Sequence, residues 1–439
     1  MDHFIVSAPG KIILHGEYAA LYGKPAIAAA IELRSYLLVS AARDDPRSIT
    51  LQSDNGIDCT WNIDDLPWPQ TPRAQNDSPE SDHSSPDSGL RAAIRAFLQT
   101  SAYTTSSSSA HKCIVEAFLY LYIALGSPQR PGAVYSIYSR LPIGAGLGSS
   151  ASISVCMTTA ILIQSGTLEK DYSLTPKAHT PVDLITRWSF IVEHFFHGTP
   201  SGVDNATSTR GGVVFFQRDP NSVKPVITPL AGVLKLPVLL VDTCESRSTA
   251  SVAADVEELL AVYPKLVHLI LNYIHLVTEF AKKIIEGTSQ CEDPDSIVEQ
   301  LGRLLPINHN LLVALGASHP RVERVRSIIS SGYLGWTKLT GAGRGGCTLS
   351  LLHPKMEEQL FQETKDRLVS EGFHVYRSIL GCSGAAVLQP TVAYDNNGRT
   401  ATNGASAAHE ILKNPKIENI DLHLERLFQG KWRHWRVSQ

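Results

Sequence analysis

The chain has 439 residues, 43% hydrophobic and 18% charged, which excludes a disordered protein and is enough for two or three packed domains. A formal net charge of −3 predicts no nucleic-acid partner and no membrane partner. No segment reaches the roughly 20 apolar residues of a membrane-spanning helix, and the N-terminus is too broken by polar residues for a secretory signal. The seven widely spaced cysteines, without a CxxC, predict reduced thiols in the cytoplasm rather than a disulfide framework or a zinc site.

The first glycine-bearing block is SAPGKIILHGEYAALYGKPAIAAAI, at residues 7–31. Pro9-Gly10 predicts a turn. Lys11 follows that turn and precedes an apolar strand, which indicates a side chain held in one direction rather than a solvated one. The candidate substrate contacts of this block are His15, Glu17 and Tyr18.

The next hundred residues alternate between regular elements and a composition break. Residues 33–52 predict strands, and 67–110, rich in Pro, Ser and Asp, predict a mobile surface insertion interrupted by a short helix at Gly89–Gln99. Cys113–Ala124 predicts an apolar helix, and Val134–Ser139 predicts the strand that leads into the second glycine block.

That second block, LPIGAGLGSSASISV, places a glycine loop between a strand and an apolar helix. Gly144, Gly146 and Gly148 let the backbone approach a ligand, and the following helix offers free N–H groups to an anion. Ser149 and Ser150 add hydroxyls that suit phosphate or hydrated Mg²⁺. The pattern indicates a nucleotide triphosphate loop without Walker A spacing, although a glycine turn used only for tight packing remains an alternative.

The segment Pro181–His197 predicts a helix, with Thr180 as N-cap and Gly198 just past its end. Glu193 lies in the last turn, where the helix dipole disfavours a carboxylate. Asp204 follows eleven residues on, in a predicted polar loop. One carboxylate for Mg²⁺ and one for a substrate hydroxyl proton would suit phosphoryl transfer, but two ordinary surface acids remain an alternative.

The second half predicts a strand at Leu236–Asp242, one or two helices over Ala253–Glu286, and then an α+β arrangement with an antiparallel sheet. Its third glycine block, KLTGAGRGGCTLSLL, satisfies GxGxxG, but a strand rather than a helix follows it. That order disfavours a dinucleotide-dependent oxidoreductase. Further expected elements are a helix at Arg321–Ser331, strand Cys347–Leu352, helix Met356–Ser370, strand Phe373–Ser378 and a tail helix near Asn419–Phe428.

These pieces occur in the order of the GHMP small-molecule kinases, and the chain resembles that family over about residues 4–388, the insertion excepted. Within it, SAPGKIILHGEYAALYGKPAIA, LPIGAGLGSSAS, HGTPSGVDNATSTRGG and KLTGAGRGGC closely resemble the mevalonate kinase family. The resemblance implies a two-domain α+β fold: an N-terminal domain like domain 2 of ribosomal protein S5, and a ferredoxin-like C-terminal domain. The expected divisions are 1–230, 231–390 and an extension of unknown role at 391–439.

The resemblance also implies roles for individual residues. Asp204 would be the catalytic base and Lys11 would lower the pKa of the substrate hydroxyl. Ser150 and Glu193 would hold Mg²⁺. Substrate contacts would come from His15, Glu17, Tyr18, Ser201 and Thr249. The expected ATP-binding residues are Lys11, Gly144, Ala145, Gly146, Leu147, Gly148, Ser149, Ser150, Gly341, Gly343, Arg344 and Gly345.

The expected reaction is transfer of the ATP γ-phosphate to the primary hydroxyl of mevalonate, a step of isoprenoid and sterol synthesis. A homodimer and inhibition by a prenyl diphosphate are further expectations from the resemblance. The sequence departs from the family pattern at Tyr18, Arg344 and Ala250. The alternatives are another kinase of the superfamily, acting on phosphomevalonate or a sugar, and a catalytically silent ligand sensor, which would be expected to have lost one of Lys11, Ser150, Glu193 and Asp204.

Overall fold

The fold is taken from a computed structural model. It describes residues 3–69, 85–100, 108–168, 180–198, 200–218, 225–230, 235–245, 249–290, 293–389, 404–415, 417 and 419–435. Half of the predicted insertion, the side chain of Thr249 and the start of the tail lie outside the described residues. None of the helices within these ranges is long and apolar enough to cross a membrane.

The strands of the described residues belong to one sheet. In chain order they are β1 (Phe4–His15), β2 (Ala26–Ala41), β3 (Ser48–Ser53), β4 (Asp58–Asn62), β5 (Ala133–Ser139), β6 (Val213–Gln217), β7 (Val226–Pro229), β8 (Leu236–Asp242), β9 (Gly335–Leu339), β10 (Cys347–Leu352), β11 (His374–Leu380), β12 (Ala386–Leu388) and β13 (Arg433–His434).

The long strand β2 connects the two halves of this sheet. The main path runs β13-β12-β1-β2-β11-β8-β10-β9. Strand β2 pairs antiparallel with β1, β5 and β6, and meets β11 through the single pair Ile31–Leu380. Strands β8 to β11 form the antiparallel sheet that the sequence predicts for the second half. The predicted division near residue 230 falls between β7 and β8, and it stays a prediction.

Helices pack against both halves of the sheet and form the apolar cores together with its strands. They are α1 (Ser88–Thr100), α2 (Ser109–Leu125), α3 (Ser149–Gln164), α4 (Pro181–Glu193), α5 (Val203–Arg210), α6 (Thr249–Val262), α7 (Pro264–Glu286), α8 (Pro294–Ala314), α9 (Pro320–Ser331), α10 (Glu358–Ser370), α11 (Gly404–Lys413) and α12 (Ile420–Phe428).

The core has separate parts under each half of the sheet. Helices α2, α3 and α4 pack with β1 to β5 around buried aromatics such as Phe118 and Tyr135. Helices α7 and α8 pack with β8 and β10 around Leu240 and Leu349. The predicted tail helix is confirmed as α12, and Asn419 caps it by accepting from the Leu422 N–H at 3.1 Å. Together α11 and α12 cover the opposite face of β1 and β2.

Two sequence predictions about local structure are wrong. Pro9-Gly10 is not a turn, because β1 continues through it with a register shift against β2. Asp204 is not in a loop, because it lies in the first turn of α5. This helix has no apolar periodicity, since most of its residues are buried on every side, so hydrophobic patterning could not reveal it.

Candidate active site

Lys11 lies at the centre of the candidate site, directly after the register shift between Pro9 and Gly10 in β1. Its backbone N–H donates to the Leu147 carbonyl at 2.8 Å, which joins β1 to the second glycine loop. Gly10 permits this approach, because a Cβ at that position would lie 2.7 Å from the Leu147 oxygen. The lysine is 7% exposed, so its ammonium group has a defined direction.

The second glycine loop leads directly into α3. Gly144, Gly146 and Gly148 all have positive φ, and Gly148 is the N-cap of the helix. A side chain at Gly148 would collide with Lys11, since its Cβ would lie 2.9 Å from the lysine Cγ. The free N–H groups of the first turn of α3 therefore open beside the Lys11 ammonium, an arrangement that suits an anion.

Glu193 is buried beneath this loop at the end of α4. It accepts hydrogen bonds from the hydroxyls of Ser154 at 3.0 Å and Ser150 at 3.4 Å. Burial raises the pKa of Glu193 to about 8, and the charge of Asp204 adds to the rise. Both serines and Lys11 oppose this shift. The carboxyl group therefore lies where a cation would stabilise its ionised form.

Asp204 is the second carboxylate of the site and forms an ion pair with Lys11. Its Oδ1 lies 3.1 Å from the Lys11 Nζ, and its side chain is 28% exposed, so it remains accessible from solvent. Helix α5 is attached to β1 by the Ser208 hydroxyl, which donates to the Pro9 carbonyl at 2.6 Å. Gly202, in the left-handed region, begins this helix.

The third glycine loop, residues 341–346, closes against the second. The Cys347 N–H donates to the Ala145 carbonyl at 3.2 Å, and the Tyr18 hydroxyl donates to the Ala342 carbonyl. Gly343 has φ 73°, and a side chain there would overlap the Ala317 carbonyl. The three glycine-bearing blocks of the sequence therefore meet in space.

Arg344, in the same loop, has its side chain directed towards α6. The guanidinium forms an ion pair with Asp255 and donates to the Gly316 carbonyl at 2.9 Å. It also has a positive φ, of 51°, where the family pattern has glycine. These contacts stabilise the conformation of the loop, and a contact of Arg344 with ATP stays a prediction.

The expected substrate residues of the first block are buried, but they differ in whether their polar atoms have hydrogen-bond partners. Glu17 is bonded to the ammonium of Lys338 and accepts from the Asn308 amide at 3.1 Å. His15 is fully buried, and neither of its ring nitrogens has a hydrogen-bond partner among the described residues. Burial, and then the charge of Lys338, holds the pKa of His15 well below its ordinary value, so the imidazole is neutral.

Two other expected substrate residues lie at the margins of the described structure. Ser201 is half-buried in the segment just before α5. Thr249 is the first residue of α6, and its side chain lies outside what the structure describes. Their roles stay predictions.

Several site residues were absent from the sequence prediction. Ser154 lies one helical turn after Ser150, so helical spacing alone could have indicated it. His197 places Nε2 at 3.3 Å from the Ser150 hydroxyl. Lys338 and Asn308 come from β9 and α8, and no local pattern links them to Glu17, because the Glu17–Lys338 pair spans 321 residues.

Comparisons with known proteins show which family this chain resembles. The family model "GHMP kinases N terminal domain" matches residues 112–212. The mevalonate kinase of Aspergillus fumigatus is 42% identical over 99% of this chain and 82% of its own length. That of Gibberella zeae is 41% identical over 99% of this chain and 88% of its own. The human mevalonate kinase is 30% identical over 91% and 98%.

Solved structures show the same fold. Leishmania major mevalonate kinase, in complex with R-mevalonate, superposes with a TM-score of 0.61 at 22% identity, covering 86% of this chain and 96% of that one. Methanococcus jannaschii mevalonate kinase gives a TM-score of 0.58 at 24% identity, covering 86% and 98%.

Proposed function

The chain belongs to the mevalonate kinases of the GHMP kinase family, and we propose that its Lys11–Asp204 pair transfers the ATP γ-phosphate to the primary hydroxyl of mevalonate. The observation that supports this most directly is the 3.1 Å contact between Lys11 Nζ and Asp204 Oδ1, beside the first turn of α3. A base and a cation lie there next to an anion-binding helix end. Phosphoryl transfer requires these groups in fixed positions.

Each partner of the pair has a separate chemical role. Asp204 Oδ1 accepts the proton of the substrate hydroxyl as the hydroxyl oxygen attacks the γ-phosphorus of ATP, and the bond from that phosphorus to the β–γ bridging oxygen breaks to release ADP. Lys11 lies beside the attacking oxygen, lowers the pKa of that hydroxyl and neutralises charge that develops during transfer. The rigid attachment of Lys11 to Leu147 and of α5 to Pro9 keeps both groups in place without reorganisation.

ATP would lie along the glycine loops. The backbone of residues 144–148 and the N–H groups of Ser149 and Ser150 would bind the triphosphate, with Lys11 beside it. Gly341, Gly343 and Gly345 would close over the nucleotide from the other side, with Arg344 holding their conformation through Asp255. The positive φ angles of these glycines leave the backbone accessible to the phosphates.

The residues present fit a magnesium ion. Ser150 and Glu193 offer oxygen ligands, and the raised pKa of Glu193 indicates a buried carboxyl group that lacks a full positive counter-charge. Mg²⁺ prefers few protein oxygens together with phosphate and water. Bound there by Ser150 and Glu193, it would neutralise charge on the phosphates of ATP.

Mevalonate would approach from the first block. In this proposal His15, Glu17 and Tyr18 would form one wall, and Ser201, just before α5, and Thr249, the first residue of α6, would add further contacts. Since Glu17 and Tyr18 are already engaged by Lys338 and Ala342, we expect their effect on the substrate to be through the shape of the wall.

The test is a coupled assay of ADP release with Mg·ATP and mevalonate, phosphomevalonate, galactose or homoserine. Release with mevalonate alone, and its loss in Asp204→Asn, would support both substrate and base. The loss should be 10²-fold or more, on the order of the general-base contribution. Arg210→Gln, on the same helix, is the matched control. Release with another acceptor would move the specificity, and ATP binding without release would favour a silent sensor.

Inhibition by a prenyl diphosphate follows from the same anion site. A diphosphate at the first turn of α3 would exclude the ATP phosphates. A prenyl diphosphate should therefore raise the apparent KM for ATP without changing kcat. An unchanged KM for ATP would contradict this.

The homodimer is supported by an exposed apolar stripe on α7. Leu266, Leu269, Tyr273, Leu276 and Phe280 are between 49% and 58% exposed, and their alternating spacing of three and four residues matches a helix-packing seam. A second copy could cover this stripe symmetrically. Leu269→Glu should convert a dimer to a monomer in light scattering, whereas Val369→Glu, on the exposed face of α10, should not. A monomeric wild-type protein would contradict the dimer.

A further inference from the structure

A cluster of three metal-ligating side chains lies outside the candidate active site. Asp242, Cys244 and His374 each offer one ligand atom, and these atoms all lie within 4.8 Å of one another. Within the described ranges, no other group of three His, Cys, Asp or Glu residues meets this criterion. The cluster has no role in the phosphoryl transfer derived above.

The sheet brings these residues together. Asp242 is the last residue of β8 and His374 the first residue of β11, and the two are directly paired across the antiparallel ladder. Cys244 follows two residues after Asp242, with a positive φ of 58°. Its backbone N–H donates to Asp242 Oδ1 at 3.0 Å, which holds the thiol and the carboxylate on the same side.

One of the ligand-atom separations, that between Cys244 and His374, matches a tetrahedral zinc site. Cys244 Sγ lies 3.6 Å from His374 Nδ1. Zinc–sulfur and zinc–nitrogen bonds of about 2.3 and 2.0–2.1 Å, at a tetrahedral angle, place the two ligand atoms about 3.6 Å apart. Cys244 and His374 are exposed and Asp242 is half-buried, so an ion can enter from solvent and keep a water ligand.

We propose that Asp242, Cys244 and His374 bind a divalent ion of the zinc type, with water in the fourth position. Thiolate and imidazole ligands select zinc-like ions over Mg²⁺ and Ca²⁺, which prefer oxygen. Binding releases the thiol proton of Cys244 to solvent, and no oxidation is involved. The cysteine pattern did not predict this site, because Asp242 ends β8, Cys244 follows that strand, and His374 begins β11, 130 residues after Cys244.

The position of the cluster connects it to the third glycine loop. Thr243, between Asp242 and Cys244, donates to the Gly346 carbonyl from its N–H at 3.0 Å and from its hydroxyl at 2.8 Å. The carbonyl of Glu245, which follows Cys244, accepts from the Gly346 N–H at 3.3 Å. The ion therefore binds the strand end that anchors this loop.

The experiment titrates the full-length, reduced and chelator-treated protein with Co²⁺, then displaces it with Zn²⁺. We expect one equivalent to give a thiolate-to-cobalt charge-transfer band that Zn²⁺ removes and that excess Mg²⁺ does not. Cys244→Ser should abolish the band, and His374→Gln should weaken Zn²⁺ binding at least about tenfold. Asp242→Asn should also weaken it.

Cys113→Ser, which removes a half-buried thiol on α2, is the matched control and should leave the band unchanged. Thermal melts of all variants establish that they fold. Absence of the band in the wild type would overturn the proposal. So would its retention in folded Cys244→Ser, its loss in Cys113→Ser, or its displacement by Mg²⁺.

Discussion

Glu17 and Glu193 are both buried carboxyl groups, 5% and 1% exposed, one in the first glycine-bearing block and one at the end of α4. Glu17 is bonded to the Lys338 ammonium and accepts from the Asn308 amide. Glu193 accepts from two serine hydroxyls, and its pKa is raised to about 8. Glu17 is thus neutralised within the protein, whereas the role proposed for Glu193 is to hold a cation that arrives with the nucleotide.

The largest expected effect is on stability at the Glu17 pair. Lys338→Met leaves a buried carboxylate without its cation, and should lower the free energy of unfolding by about 3–5 kcal/mol. Urea denaturation followed by circular dichroism measures this. Lys355→Met, at an exposed lysine, is the control and should change stability little.

The double variant Glu17→Gln/Lys338→Met tests whether the two buried charges are energetically coupled. Removing both charges should restore much of the stability that the single lysine variant loses, because no unpaired charge remains. Equal losses in the single and double variants would show that the two side chains are not energetically coupled.

The next effect is on activity at Glu193. Glu193→Gln removes the charge that would hold Mg²⁺, so kcat should fall by about 10²-fold and the Mg²⁺ requirement should rise. Stability of the nucleotide-free protein should change little near neutral pH, because a carboxyl group with a pKa of about 8 is largely protonated there and a neutral amide replaces it. A variant that loses stability yet keeps the wild-type Mg²⁺ dependence would contradict the comparison.

The pH dependence of stability provides a third test. Since the pKa of Glu193 is raised in the folded state, its protonated form stabilises the nucleotide-free protein below pH 4.5, and this contribution is lost as pH rises to about 8. The slope contributed by one proton is at most about 1.4 kcal/mol per pH unit. Denaturation at a series of pH values should show it in the wild type, and Glu193→Gln should remove it.

The smallest effect is expected at Ser154. Ser154→Ala removes a hydrogen bond that lowers the pKa of Glu193, so that pKa should rise further and kcat should fall about fivefold, or ~1 kcal/mol. Thr158→Val is the matched control, since Thr158 lies one turn further along α3 and its hydroxyl has no hydrogen-bond partner among the described side chains. Equal activity of the two variants would show that the Ser154 hydroxyl does not contribute to catalysis.

The sequence predicted the elements that local residue patterns determine. Strands β8 and β10 match their predicted bounds, and Lys11, Ser150 and Glu193 lie in motifs beside glycine loops or helix ends. Local patterns could not show that Pro9-Gly10 continues a strand, because the irregularity depends on pairing with β2. They also could not pair Glu17 with Lys338, because that contact depends on the closure of distant strands.

The pairing of β12 with β1 has a consequence for biosynthesis. Ile5 pairs with Leu388, and Arg34 donates to the Gly384 carbonyl 350 residues further along the chain. At 5–20 residues per second, the ribosome needs roughly 20–70 s to supply that partner. Until then one edge of β1 is unpaired, so the nascent chain carries an aggregation-prone strand, and holding by a chaperone would protect it.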